Sequence, residues 1–318
     1  MIWGGAFASL LIVVAAAAPL LAPYDPAEQL DPPATAYRPP GTELAAVRLG
    51  DGVWRLADRV RRTPAGLEVE RRGRTEFHPA SEVLNLTPDG VADRRLFLLG
   101  SDRFGRDVLS RMIYGARVSM AVGLLSMLLA LTLGIAIGSL AALGGRIADT
   151  VLMRSVDALL SFPWLFLLLA LATFLGPDPK VTVIILGVTA WTTISRLIRA
   201  ELLSLREREF VLAARAMGQH PLVIFWRHLL PNAFAPVLIQ ATLLIGTLIL
   251  TESSLSFLGL GIQPPIPSWG NLIAEGRDVL LESWWISAFP GVTLALTVIA
   301  FNLLADGLRD RLDPRSQG

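Results

Sequence analysis

The chain has 318 residues, of which 53% are hydrophobic and 17% charged, with a mean hydropathy of +0.55. Soluble domains run at about 45–50% apolar and about 25% charged, so this composition indicates a membrane protein. A net charge of +1 and the absence of cysteine argue against a nucleic-acid footprint and exclude disulfides, a CxxC centre or a thiolate metal site.

Charge-free windows mark the spans. They are residues 1–24, Val118–Gly145, Ala158–Pro177, Val181–Ser195, Asn232–Thr251 and Ser283–Ala305. A helix needs about 20 apolar residues to cross the hydrocarbon core. Val181–Ser195 is shorter, but Lys180 and Arg196 can snorkel outward from its ends. The expectation is an all-α membrane protein of six transmembrane helices. The first window is read as a retained helix. A cleaved signal peptide is the alternative, against which stands the lack of a basic region before the apolar run.

Basic residues orient the spans. Arg146 and Arg154 separate spans two and three. Arg196, Arg199, Arg206, Arg208, Arg215 and Arg227 separate spans four and five, and Arg309, Arg311 and Arg315 follow span six. The opposite loops carry Lys180 and Arg277. Both termini of this multi-pass membrane protein are therefore expected in the cytoplasm. Residues 25–117 carry many arginines on the outer side, but long segments translocate largely regardless of charge.

Three domains are expected: residues 1–24 as the first helix, 25–99 as an extracytoplasmic segment, and 100–318 as the main membrane domain with a loop at 201–230. "APYDPAEQLDPPATAYRPPG" reads as extended. After it, alternation as in "GLEVERR" and turn signals at Thr63-Pro64-Ala65-Gly66 and Arg72-Gly73 suit either a small β-rich insert or a solvated linker. In "GSDRFGRDVLSRMIYG", Val108, Leu109, Met112 and Ile113 fall at helical spacing. A short amphipathic helix on the membrane surface is expected there.

The loop at 201–230 is unusual. Glu201 to Met217 contains no Pro or Gly and reads as helix continuing from span four. Gly218 suits the position after a helix end, and Pro221 the first turn of a second helix. This cytoplasmic helix–turn–helix is nearly all apolar, and such a helix is normally buried. Burial here means contact with its own spans or with another protein.

"FVLAARAMGQHPLVIFWRHLLPN" resembles the EAA loop of permease subunits in bacterial ABC importers. "LAPYDP", "LGSDRFGRDVLSRMIYGARVS", "ESSLSFLGLGIQPPIPSWGNLIAEGRD" and "FNLLADGLRDRLDPR" resemble stretches of the dipeptide, oligopeptide and nickel importer family. The matches cover residues 19–26 and 97–315. The resemblance implies a non-catalytic peptide-transport subunit of the bacterial plasma (inner) membrane that pairs with a second homologous permease. Two ATPase subunits would bind below, and an extracytoplasmic substrate-binding protein would deliver cargo above. It also implies that Glu209, Phe210, Leu212, Ala213, Ala214, Arg215, Met217 and Gly218 contact the ATPase subunit. Two departures stand out. Leu212 occupies the acidic position of the motif, where Glu209 is the nearby substitute. The segment after span one is longer than in the family, and the tail usual before span one is absent, as expected of a shortened start.

The single lysine, Lys180, follows "GPDP", so no Walker A loop is present and ATP hydrolysis is expected from partners. Gln240 and Thr247 lie seven residues apart on one face of span five and are candidates for the substrate path; ordinary interhelical hydrogen bonding is the alternative. Glu252, at the outer edge of that span, reads as a helix-end or gating residue. His78, His220 and His228 form no metal-ligand set, and neither cofactor nor metal is expected. A nickel-type importer permease is the alternative reading. An ATP-independent secondary transporter would need mid-membrane acids or paired broken helices. An intramembrane enzyme would need a catalytic cluster.

Overall fold

The computed structural model describes residues 2–49, 52–84 and 91–312. Residues 85–86 of the outer segment and 313–315 of the tail motif, including Arg315, lie outside the described residues. In chain order the helices are α1 (Ile2–Ala16), the short α2 (Ala18–Leu21) and α3 (Pro32–Thr35), then α4 (Val108–Leu143), α5 (Gly145–Ser161), α6 (Trp164–Leu175), α7 (Pro179–Arg206), α8 (Glu209–Ala216), α9 (Pro221–Ile224), α10 (Leu230–Phe257), α11 (Trp269–Gly276) and α12 (Trp285–Leu312). The strands are β1 (Thr42–Leu49), β2 (Trp54–Ala57), β3 (Arg59–Thr63), β4 (Gly66–Arg71), β5 (Arg74–Pro79), β6 (Val83–Leu84) and β7 (Asp93–Phe97).

Among the described residues, four helical segments are long and apolar enough to cross a membrane: α4, α7, α9 running on into α10, and α12. The pair α5–α6, bent by 86°, makes a fifth if counted as one span. Residues 4–16 form a shorter apolar helix.

The chain divides into two compact units. The first comprises residues 1–13, 118–263 and 294–318. Its core gathers Leu168, Ile185, Leu186, Leu248 and Leu255 in one cluster and Ile194, Ile198, Leu202, Val237 and Leu229 in another. Gly134 and Gly138 let α4 approach α7 closely. A Cβ on Gly134 would stand 2.5 Å from Ile194 Cβ, and one on Gly138 would strike Ser195 and Ile198. Small residues four apart are the usual device for close helix approach in lipid, where apolar burial alone gives no preference.

Span three is not the single helix expected over Ala158–Pro177. Pro163 lacks an N–H and biases Phe162 to an extended conformation, observed at φ −79°, ψ 135°. The helix ends at Ser161 and resumes as the 12-residue α6. The amphipathic α5 sets its acids against α7: Arg196 pairs with Asp157 at 2.5 Å, and Arg199 Nη2 with Asp149 at 2.6 Å.

The second unit comprises residues 14–117 and 264–293. Strand β1 pairs antiparallel with β2, and along its other edge with β7 and β6. Strands β3, β4 and β5 form a second antiparallel sheet. Leu44, Ala46, Leu56 and Phe97 pack into one small core with Ala34; Val47, Leu49, Ala57, Leu67 and Val69 make another. The period-2 burial of β4, with Leu67 and Val69 at zero exposure and Glu68 and Glu70 outside, fixes which face is inward.

The proline-rich stretch is not simply extended, since α3 interrupts it. No separate surface helix forms at 100–115 either. Residues from Val108 on are the first turns of α4, because nothing in "VLSRMIYGARVS" stops a helix. The Gly100–Asp107 segment before it is a folded loop, with Gly100 and Gly105 at positive φ.

Candidate functional site

The loop between α7 and α10 is the first candidate. The helix expected to run unbroken from Glu201 to Met217 is interrupted. Helix α7 ends at Arg206, Arg208 is extended at ψ 146°, and α8 restarts at Glu209. Arg206 is committed to the Ala142 carbonyl, donating from Nη1 at 2.8 Å. The turn at 207–208 lets α8 fold back and bury Val211 and Ala214, both at most 1% exposed, among Ile198, Leu202 and Phe225. Glu209 then lies in the first turn of α8, where its charge suits the helix dipole.

Gly218 closes α8 with φ +76°, and Gln219 N–H donates to the Ala214 carbonyl at 3.2 Å. This is a glycine-terminated helix end. Pro221 opens α9, with His220 Nδ1 accepting from Leu222 N–H at 3.3 Å. His228 lies 3.3 Å from Gln219 Oε1 and 6.5 Å, ring to ring, from Phe210. From Phe225 to Leu229 the chain makes one π-helical turn and runs directly into α10, with Pro231 in its first turn.

This apolar loop thus packs one face on its own spans and leaves the other exposed. Val211 and Ala214 pack inward. Phe210 (43% exposed), Leu212 (46%) and Met217 (71%) face outward, and Glu209, Ala213, Arg215 and Gly218 are exposed beside them. Leu222, Val223 and Trp226 continue the outward apolar surface. Of the expected contact residues, Ala214 alone is turned into the core.

On α10, Gln240 is half-buried and Thr247 exposed. Thr247 Oγ1 donates to its own helix at Leu243 O, 3.3 Å away. Ser254, seven residues further on, extends the same face. It also back-bonds, to Leu250 O at 2.9 Å. The stripe Gln240–Thr247–Ser254 lies opposite the buried side of α10, on which Val237, Ala241, Leu248 and Leu255 sit.

Glu252 is fully buried. Its Oε2 accepts from Ser119 Oγ at 2.9 Å and Ser253 Oγ at 3.3 Å, and its Oε1 from Ser256 Oγ at 2.7 Å. Ser256 Oγ in turn accepts from Ile262 N–H at 2.9 Å. The carboxylate thus joins α4, α10 and the turn after α10.

The second unit holds a cluster that sequence reasoning missed. Asp102, Arg106, Arg111 and Glu275 have side chains at most 8% exposed. Arg106 Nε bonds Asp102 at 2.6 Å, Arg111 Nη1 bonds Asp102 at 2.5 Å, and Arg106 Nη2 reaches Glu275 at 3.1 Å. Burial raises the Glu275 carboxyl, but the hydrogen bond and charge of Arg111, with Arg106 and Arg103, outweigh it and hold it below its ordinary value. Nearby Asp107 goes the other way: burial pushes it up, only partly offset by hydrogen bonds from Ser110. Among the described residues its Oδ1 has no hydrogen-bond partner. The available signal was five charges in "SDRFGRDVLSR" ahead of an apolar helix; a linear pattern does not reveal that Glu275 meets two of them.

Among the described residues no group of three or more His, Asp or Glu side chains could hold a metal ion.

Residues 134–318 match the family of binding-protein-dependent transport system inner membrane components. The chain belongs to this family. It is a permease of the ABC transporter class, a transport component with several apolar membrane helices. A putative peptide transport system permease protein of Brucella suis is 45% identical over 240 residues, covering 73% of this chain and 81% of that one. The di/tripeptide transport system permease DppC of Pseudomonas aeruginosa is 43% identical over 219 residues, covering 69% and 72%. The dipeptide transport system permease DppC of Alkalihalophilus pseudofirmus is 41% identical over 216 residues, covering 68% and 71%. The fold of the permease also resembles an amino acid ABC transporter (TM-score 0.51, 15% identity, 64% of this chain and 95% of that one). It resembles the inward-facing MetNI methionine ABC transporter as well (TM-score 0.50, 19% identity, 62% and 96%).

Proposed function

We propose that this permease carries peptides of the dipeptide and oligopeptide class into the cytoplasm as one half of an ATP-driven channel. A second homologous permease supplies the other half, two ATPase subunits bind on the cytoplasmic side, and an extracytoplasmic binding protein delivers the cargo. The observation that carries this reading is the two-sided α8. Its Val211–Ala214 face is anchored in the permease's own core, while Phe210, Leu212 and Met217 are held out as an apolar contact surface. A helix so anchored transmits displacement instead of absorbing it. The names of the relatives support peptides as cargo.

In this reading the helix of residues 4–16 and the broken α5–α6 pair bring the spans to six, with both termini cytoplasmic. Residues 25–99 lie outside, carrying the two small sheets, and 100–318 form the main membrane domain. The ATPase subunits meet Glu209, Phe210, Leu212, Ala213, Arg215, Met217 and Gly218. The stripe of Gln240, Thr247 and Ser254 faces the substrate path.

The test is affinity purification of the permease from native membranes in mild detergent, followed by reconstitution. Co-purification of a second permease and ATPase subunits, with ATP-dependent uptake of trialanine into vesicles, is the expected result. Recovery of the chain alone in several detergents would overturn the assembly. Uptake of Ni²⁺ but not of trialanine would transfer the reading to a nickel-type importer.

A further inference from the structure

The two sheets of the outer segment do not close on each other, and the gap between them has the character of a binding site. Strands β2 and β3 are almost continuous, separated by Asp58. Asp58 N–H bonds the Glu70 carbonyl at 2.8 Å, while Arg59 is the register partner of Glu70. Two residues thus face one, which is a β-bulge, and bulges bend the strand that carries them. The bend takes β3 away from β1. The β1–β2 ladder ends at Ala45–Ala57, and β3 pairs with β4 as the edge of its sheet. Between the splayed strands lies an open cleft of about 430 Å³, inside the roughly 300–1,000 Å³ range of small-ligand sites.

Its lining suits an extended main chain. Ala45, Val60 and Val91 supply apolar surface. Arg59, Arg61 and Arg94 supply cations, and Glu43 and Asp58 anions, the first bonded to Arg94 at 3.2 Å and the second to Arg38 at 2.7 Å. The two-residue turn at Pro64–Ala65 makes Thr63–Gly66 the closing pair of the β3–β4 hairpin. Thr63, Arg61 and Arg59 therefore share their main-chain hydrogen bonds with β4, and Val60 turns its N–H and C=O toward the cleft. The terminal strand of a sheet beside a pocket is the geometry of strand addition, in which the main chain supplies affinity.

We propose that this cleft binds short peptides with free termini, laid along β3, with the terminal carboxylate against Arg59 and Arg61 and the amine against Glu43. Charges of both signs at one small site match a zwitterion. The proposal rests on the reading that peptides are the cargo. It places a transient landing site for them on the permease itself, apart from the binding protein.

The test uses the full permease in nanodiscs and trialanine as probe, read by saturation-transfer NMR, with uptake measured separately in the reconstituted transporter. Val60→Pro removes the N–H facing the cleft without touching the β4 ladder, a position where edge strands accept proline. The double variant Arg59→Glu/Arg61→Glu reverses the rim charge. The expected result is a trialanine signal in the wild type that falls at least fivefold in both variants and with acetylated, amidated trialanine. Absence of signal in the wild type, or equal signals in wild type and both variants, would overturn the proposal. Binding that depends on Val60 and the rim arginines, without trialanine uptake, would sustain the cleft and remove the peptide-import reading instead. Uptake with no variant-sensitive binding would do the reverse.

Discussion

Arg111 and Glu275, 164 residues apart in sequence, meet as a bidentate buried ion pair, with Nη2 2.9 Å from Oε1 and the second nitrogen on the second oxygen. One belongs to the first turn of α4 and the other to the end of α11. Two helical segments of the second unit are thereby held at one point. Removing one partner of a buried pair strands the other's charge, at a cost of about 3–5 kcal/mol. Arg111→Ala is expected to lower the recovery of folded permease in detergent several-fold. Arg111→Lys is expected to rescue only part of it, since an ammonium cannot offer the two-pronged fit. Size-exclusion recovery and trypsin resistance measure both.

The same pair sets an acid limit. Glu275 is held below its ordinary value, so its ion pairs contribute stability that is fully present above the unfolded carboxylate pKa, about 4.3. That stability is lost as pH falls through the lower folded value. The unfolding temperature of the purified permease should therefore drop on acidification below about pH 4.3. Glu275→Gln, destabilised at neutral pH, should show a shallower acid dependence.

Asp107 has the opposite sign. Burial raises its carboxyl, so ionisation costs stability as pH rises through the folded value. Its Oδ2 accepts from Ser110 N–H and Oγ, each at 2.7 Å, which an amide oxygen can equally do. Asp107→Asn is therefore expected to raise the unfolding temperature at pH 8 and to have a smaller effect in acid. A lower unfolding temperature at pH 8 would contradict the assignment.

Gly218 has open space where a Cβ would go, so only its backbone angle resists substitution. A left-handed conformation costs a non-glycine residue about 1–2 kcal/mol. Gly218→Val should loosen the end of α8 and weaken co-purification of ATPase subunits, with Gly218→Asn milder than Val because Asn tolerates this region. Leu212→Asp and Met217→Asp, on the outward face, should reduce that co-purification while leaving membrane insertion intact. Ala214→Trp, aimed inward, should instead reduce folded yield.

Much of the membrane domain was legible in the sequence because charge exclusion from lipid leaves a linear mark. The windows ending at Gly145, Thr251 and Ala305 all fall on long helices. Gly218 and Pro221 were legible because positive φ and a missing N–H are properties of single residues. Events decided by tertiary contact were not. The break at 207–208 goes with Arg206 reaching the Ala142 carbonyl, whereas the end of α5 at Ser161 follows from Pro163, a local signal passed over when Ala158–Pro177 is read as one charge-free window. The Asp102–Arg106–Arg111–Glu275 cluster was not legible either, because a sequence window does not disclose a partner more than 150 residues away.

The π-helical turn at Phe225–Leu229 has a geometric consequence. Residues 221–257 form one helical run of 37 residues, about 55 Å long at 1.5 Å per residue. The loop helix α9 and the polar stripe on α10 are therefore two marks on a single shaft, and the π turn sets the phase between them. Deleting one residue there would restore the ordinary register and rotate everything beyond it by about 100°. The azimuth from the outward face of the loop to Gln240, Thr247 and Ser254 is in this sense indexed by one extra residue.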